Sequence, residues 1–186
     1  MSASFDIATT SLPGLNVLSR KPISDSRGLF ERLFCIDELQ DVLGKRRVVQ
    51  VNRSLTKHKG SVRGLHFQHA PSAEMKFVSC LRGEVFDVAV DIRQGSATFL
   101  QWHAELLSSD NRKTLAIPEG FAHGFQTLTD DCEMFYMHTA AYNPSAEGGL
   151  NPQDPALAVA WPLPFTELSA RDADHPMIAC FTGVHL

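Results

Sequence analysis

The sequence predicts a mainly β fold, an antiparallel sandwich or barrel carrying a few short helices. Three observations predict it. Segments of alternating or apolar, β-prone residues recur at short intervals. The breaks between them carry turn chemistry: Lys59-Gly60, Arg82-Gly83, Gln94-Gly95-Ser96, Ser108 to Asn111, and Thr129-Asp130-Asp131. Helical periodicity is confined to brief stretches.

In chain order, strands are expected over residues 48–54, 75–81, 84–92, 99–107, 113–117, 122–128 and 133–139, with another around 62–68. Ile36, Leu39, Val42 and Leu43 share one helical face, and Gly44 is a fitting stop. One more turn is expected near Asp154-Pro155-Ala156-Leu157. From Trp161-Pro162 onward the tail reads as mostly irregular, with a short capped helix over 169–176 ended by Pro176. No linker or internal repeat divides the chain, so residues 1–186 read as one domain, long enough to bury a sizeable core.

The net charge of −4 lacks the basic footprint of a nucleic-acid binder, yet leaves room for a local basic cluster that holds one phosphorylated ligand. Cys35, Cys80, Cys132 and Cys180 are scattered, with no Cys-x-x-Cys pair. That excludes zinc-knuckle and redox-motif readings and suits reduced core thiols in the cytoplasm. No basic segment followed by an apolar stretch opens the chain, and no run approaches 18 apolar residues, so neither a secretory signal nor a membrane span is expected.

Two polar intrusions stand out from this apolar framework. Arg63-Gly64-Leu65-His66-Phe67-Gln68 sets an arginine and a histidine in a strand, and Ile117 to Phe125 carries His123 in the same manner. A buried ionisable side chain needs partners, so these residues point to a lined pocket. Strict alternation separates Arg63 from His66, and sharing a pocket requires a bulge, which Gly64 permits. The plain alternative is a satisfied core histidine beside a rim arginine. Lys76 and Tyr136 also fall in apolar strands, where a snorkelling or edge position is the ordinary reading. Asp172 reads on its own as a helix cap.

The positions of Gly60, His66, Gln68, Glu74 and Gly83, followed by Pro118, Gly120 and His123, are similar to the two cupin motifs. Metal-binding cupins have a second histidine where this chain has Gln68, a poor ligand. His66, Glu74 and His123 remain as a possible iron(II) or manganese(II) set.

Longer stretches carry a more specific resemblance. They are Asp25 to Phe30, Gln50 to Ser54, Arg63 to Gln68, Gly83 to Asp91, Ile117 to Phe125, Tyr136 with Tyr142, Asp154-Pro155 and Trp161-Pro162. In this order they resemble the dTDP-4-dehydrorhamnose 3,5-epimerases, nucleotide-sugar isomerases with a cupin-type jelly roll. The resemblance implies His66 as catalytic base, Asp172 as its carboxylate partner, Lys76 beside the substrate's keto oxygen and Tyr136 as the acid on the opposite face of the sugar. It implies Arg63 as a pyrophosphate contact, Tyr142 as a platform for the base, and Arg27, Phe30, Gln50, Asn52 and His123 as substrate-lining residues. It further implies a nucleotide-sugar substrate, no cofactor, no metal and a homodimer whose site borrows residues from a second subunit.

The expected reaction is epimerisation of dTDP-4-keto-6-deoxy-D-glucose at C3 and C5. Two departures bear on the substrate: Arg32 stands where many members have glutamate, and Pro152 where many have tryptophan. They leave GDP- or CDP-linked sugars, heptoses and a single-centre epimerase as alternatives, beside a 3,4-ketoisomerase, a metal-dependent dioxygenase and a non-catalytic sugar-binding cupin.

Overall fold

The computed structural model describes residues 3–186, apart from the side chain of Cys180. Thirteen strands follow in order: β1 (Phe5–Thr9), β2 (Asn16–Arg20), β3 (Ile23–Asp25), β4 (Gly28–Phe30), β5 (Gln50–Thr56), β6 (Val62–Gln68), β7 (Lys76–Arg82), β8 (Glu84–Asp91), β9 (Trp102–Ser108), β10 (Lys113–Ile117), β11 (Phe121–Thr127), β12 (Cys132–His138) and β13 (Glu147–Gly149). Helix α1 (Gln40–Leu43) precedes β5, and α2 (Ala170–Ala173) lies in the tail with a 3-10 turn at Ile178–Cys180.

The strands build two antiparallel sheets that face each other, the expected jelly-roll sandwich. One runs β1-β2-β10-β7-β12-β5 and the other β13-β6-β11-β8-β9, while β3 and β4 form a separate hairpin. Alternation explains the core. Val78, Cys80, Leu115 and Met134 from the first sheet meet Val85, Ala89, Phe121 and Phe125 from the second. Every residue of β11 is buried, because the outer face of its sheet is covered as well. Leu150 and Leu157, with Ile178 and Val184 of the tail, pack there against Leu65, Val88, Val90 and Ala122. The tail is irregular in backbone, as expected, and buries its apolar side chains all the same. A third cluster seats Leu39 and Leu43 on Leu18, Phe77 and Met137.

The differences from expectation are local. The strand expected over 99–107 begins only at Trp102, because residues 96–101 turn around the Asp91 carboxylate, which accepts from Ser96 and Thr98 at 2.6 Å each. Of the helix expected from Ile36, only the last four residues are helical, and Ile36 stays 36% exposed. Residues 155–157 form a turn, as expected. Strands β1 to β4 and β13 have weak alternation, and the sequence reading does not include them. Among the described residues no helix is long and apolar enough to cross a membrane.

Candidate active site

A cavity of about 1180 Å³ opens between the two sheets, ample for a nucleotide sugar. Its first wall comes from β6 and β11, and its position depends on a bulge. Arg63 pairs with Phe125 and His66 with His123, so Gly64 and Leu65 together face Gly124. Gly64 has φ +124°, and a Cβ there would lie 2.5 Å from Gly124 Cα. The extra residue turns Arg63 onto the face of His66, and both line the cavity.

Helix α2 supplies the partner of His66. Ser169 is the N-cap of this helix, and its hydroxyl accepts from the Asp172 N–H at 3.1 Å, which fixes the turn. Asp172 is 3% exposed, and its Oδ1 lies 2.7 Å from His66 Nε2. Its Oδ2 accepts from the Gly64 N–H at 3.2 Å, so the bulge and the carboxylate hold each other in place. Burial alone would raise the Asp172 pKa, but the hydrogen bond and charge of His66 and the Gly64 N–H outweigh it and hold the carboxyl low. With Nε2–H committed to Asp172, His66 Nδ1 has no hydrogen-bond partner among the described residues. The Arg171 guanidinium, 3.2 Å from Nε2, is then a charged neighbour rather than a donor, and it pairs with Glu147 at 3.1 Å.

The second wall comes from β5, β7 and β12. Lys76 is 8% exposed, with Nζ 3.2 Å from Glu74 Oε1 and 3.3 Å from the His66 carbonyl oxygen. Tyr136 places its hydroxyl 3.0 Å from Ser54 Oγ. Burial pushes the Tyr136 pKa up, against the lowering effect of the Ser54 hydrogen bond, so the phenol holds its proton. His123 sits at the floor with Nε2 between the two oxygens of Asp87, at 3.0 and 2.9 Å. Burial raises the pKa of Asp87, and the charge of His123 opposes the rise.

The cavity therefore gathers His66, Asp172, Lys76, Tyr136, Arg63, Asn52 and His123 from the expected set. Four others lie off its lining. Gln50 accepts the Tyr142 N–H at 2.9 Å, and Tyr142, 52% exposed, donates its hydroxyl to Glu147 at 2.9 Å. Arg27 and Phe30 sit on the β3–β4 hairpin, where Arg27 pairs with Asp25 and Phe30 is 67% exposed. That hairpin pairs with neither sheet, and neither residue lines the cavity. Sequence reasoning missed His138, Ser54 and Arg171. Alternation from Tyr136 would have found His138, which stacks on the Tyr136 ring at 6.2 Å.

The three cupin-type ligand candidates do not share a centre. Glu74 pairs with Lys76 and His138, His123 with Asp87, and His66 with Asp172. Gln68, in the place of a metal-binding histidine, instead donates to Glu74 at 2.9 Å. Of the two departures, Arg32 pairs with Glu38, and the Pro152 carbonyl accepts from Trp161 Nε1 at 2.8 Å.

The model of the dTDP-4-dehydrorhamnose 3,5-epimerase family matches residues 9–179. The chain is 43% identical over 174 residues to the dTDP-4-dehydrorhamnose 3,5-epimerase of Salmonella typhimurium, covering 92% of this chain and 94% of that protein. It is 38% identical over 157 residues to the dTDP-4-dehydrorhamnose 3-epimerase of Streptomyces niveus, covering 84% and 75%. Among solved structures, the dTDP-6-deoxy-D-glucose-3,5-epimerase of Legionella pneumophila in complex with dTDP-4-keto-L-rhamnose is similar with a TM-score of 0.89 at 41% identity, covering 94% of this chain and 93% of that one.

Proposed function

Since the chain belongs to the dTDP-4-dehydrorhamnose 3,5-epimerase family, we propose that it inverts C3 and C5 of dTDP-4-keto-6-deoxy-D-glucose by acid–base chemistry at the cavity between its sheets. It is an isomerase of nucleotide sugars. One observation carries the mechanism: His66, backed by Asp172, and Tyr136 stand on opposite walls of one cavity.

A C–H beside a ketone is a weak acid, so its removal needs a placed base and a stabilised enolate. His66 Nδ1 takes the proton, and Asp172 fixes the tautomer and balances the imidazolium. Lys76, a buried cation on the second wall, stabilises negative charge on the C4 oxygen. Tyr136 delivers a proton from the other face, which inverts the centre. Its raised pKa keeps the phenol protonated beforehand. Arg63 offers a planar fork to phosphate oxygens near the cavity mouth.

Arg27 and Phe30 serve the site of a partner subunit in a homodimer. Supporting this are the exposed apolar residues on the hairpin and on edge strand β5: Ile23, Leu29, Phe30, Val51 and Leu55. Light scattering on the purified protein tests the dimer, and a monomer at micromolar concentration would remove it.

The reaction is tested by incubating the protein with the substrate in deuterated water and following C3 and C5 by NMR. Exchange at both carbons in the wild type, abolished in His66→Ala, is the expected result. Exchange at C3 alone would make it a single-centre enzyme, the activity named for the Streptomyces niveus relative. Full exchange in the variant would remove His66 as the base.

A further inference from the structure

His175 has no part in the mechanism above, yet it closes a second arrangement of ligands at the base. We propose that His66, Asp172 and His175 form an inhibitory site for a zinc-class divalent cation. The ligand atoms of these three side chains all lie within 4.8 Å of one another. His66 Nε2 is 2.7 Å and His175 Nε2 4.0 Å from the same Asp172 oxygen.

Two further observations point the same way. His175 Nε2 is buried without a hydrogen-bond partner among the described residues, a state that costs free energy and that a ligand bond relieves. Its ring occupies space that exists because residue 149 is a glycine, where a Cβ would collide with His175 Nε2. The ring is thus held against the pair, packed edge-on to His66 at 5.8 Å.

The donor set fits the ion. Two neutral imidazoles and one carboxylate suit zinc, and they leave a fourth position open. At bond lengths of ~2.0–2.1 Å the donors of a tetrahedral ion sit about 3.3 Å apart, so His66 and Asp172 separate by about 0.6 Å, His175 closes on the carboxylate by about 0.7 Å, and the two rings approach each other by at most about 1.5 Å. Arg171 opposes the ion with its own charge, but it is 56% exposed on its side chain and already paired with Glu147, so it has somewhere to turn.

The effect on the base follows from tautomer chemistry. A neutral imidazole carries one ring proton, and in the free protein that proton lies on His66 Nε2, facing Asp172. A cation bonded to Nε2 moves it to Nδ1, with no net release. Nδ1 becomes a donor and can no longer take a proton from carbon. Inhibition then lowers kcat while nucleotide binding at the far end of the cavity persists. This effect rests on the reading of His66 as the base, whereas cation binding itself does not.

Metal-stripped protein is titrated with Zn²⁺ by calorimetry and with Co²⁺ by visible absorption, and turnover and dTDP binding are followed in parallel. The expected result is one ion per protomer, tetrahedral cobalt bands, loss of turnover reversed by EDTA, and unchanged dTDP binding. His175→Gln and His175→Ala, checked for unchanged melting, keep turnover and lose both the binding and the inhibition. Zn²⁺ binding that survives both variants, or no binding by the wild type, overturns the site. Binding that is lost in the variants without any loss of wild-type turnover keeps the site and overturns the inhibition, and with it the role of His66. If either variant melts early, Asp172→Asn replaces it for the calorimetry alone, and retained binding there also overturns the site.

Discussion

Replacing Asp172 by asparagine isolates the contribution of one charge to the proposed base, His66. The side chain is buried, and the two amide atoms match the two carboxylate oxygens in shape. The Gly64 N–H, 3.2 Å from Oδ2, requires an acceptor, so the amide oxygen goes there and the amide NH₂ faces His66. At the 2.7 Å separation from Nε2, that NH₂ demands an acceptor on the ring. The ring proton moves to Nδ1, and the nitrogen facing the substrate becomes a donor. The same exchange in a Ser-His-Asp triad costs about 10⁴-fold in kcat, or about 5.4 kcal/mol of barrier. We expect a loss of ~10³–10⁴ in deuterium exchange at C3, with dTDP affinity unchanged. The assay is proton exchange by NMR, with calorimetry for the nucleotide. A variant that exchanges within tenfold of the wild type would refute the tautomer argument.

Three further outcomes are expected. Tyr136→Phe retains exchange on the His66 face and loses inversion, as read from the configuration of the trapped product; unchanged inversion would assign the acid elsewhere. Gly64→Ala drives a Cβ to 2.5 Å from Gly124 Cα at a φ that L-residues rarely adopt; a cost of about 3 kcal/mol lowers Tm by roughly 6–12 °C, and a Tm within about 1 °C of wild type would contradict the bulge. Asp91→Asn tests a pH dependence. Burial raises the Asp91 pKa, but hydrogen bonds from Arg93, Ser96 and Thr98 outweigh it and bring it from 3.8 to about 2. A carboxyl lowered in the folded state contributes stability that is complete above its unfolded pKa and fades as pH falls through the folded value. The contribution is about 2 kcal/mol at pH 7. Urea unfolding at fixed protein concentration should show that gap between wild type and variant at pH 7 and 5, narrowing below about pH 4; a gap that does not narrow removes the charge from the explanation.

The sequence by itself determined the fold class and the family, and it named seven side chains that line the cavity. Strands β6 to β8 and β10 to β12 are legible as apolar, β-prone runs bounded by turn residues, because they are buried along most of their length. The polar breaks in that pattern, His66, Lys76, His123 and Tyr136, were legible because apolar strands make them conspicuous. Even the bulge could be inferred, since Arg63 and His66 cannot share a face without it. Short edge elements were not legible: β1, β3, β4 and β13 bury little and so carry little pattern.

Only the tertiary structure decided which side chains meet. Asp172 lies 106 residues from His66; the family resemblance pairs them, but nothing local to either states that they touch. Glu74 and His123 stand close to His66 in motif terms, but each is claimed by another partner. His175 is not singled out by the sequence, and only the glycine at 149 makes room for its ring beside His66. Arg27 and Phe30 were legible as residue types, yet their place on a detached hairpin puts them outside the cavity. The physical reason is common to all these cases: periodicity reports which face of an element is buried, whereas pairing across elements depends on how the faces are brought together.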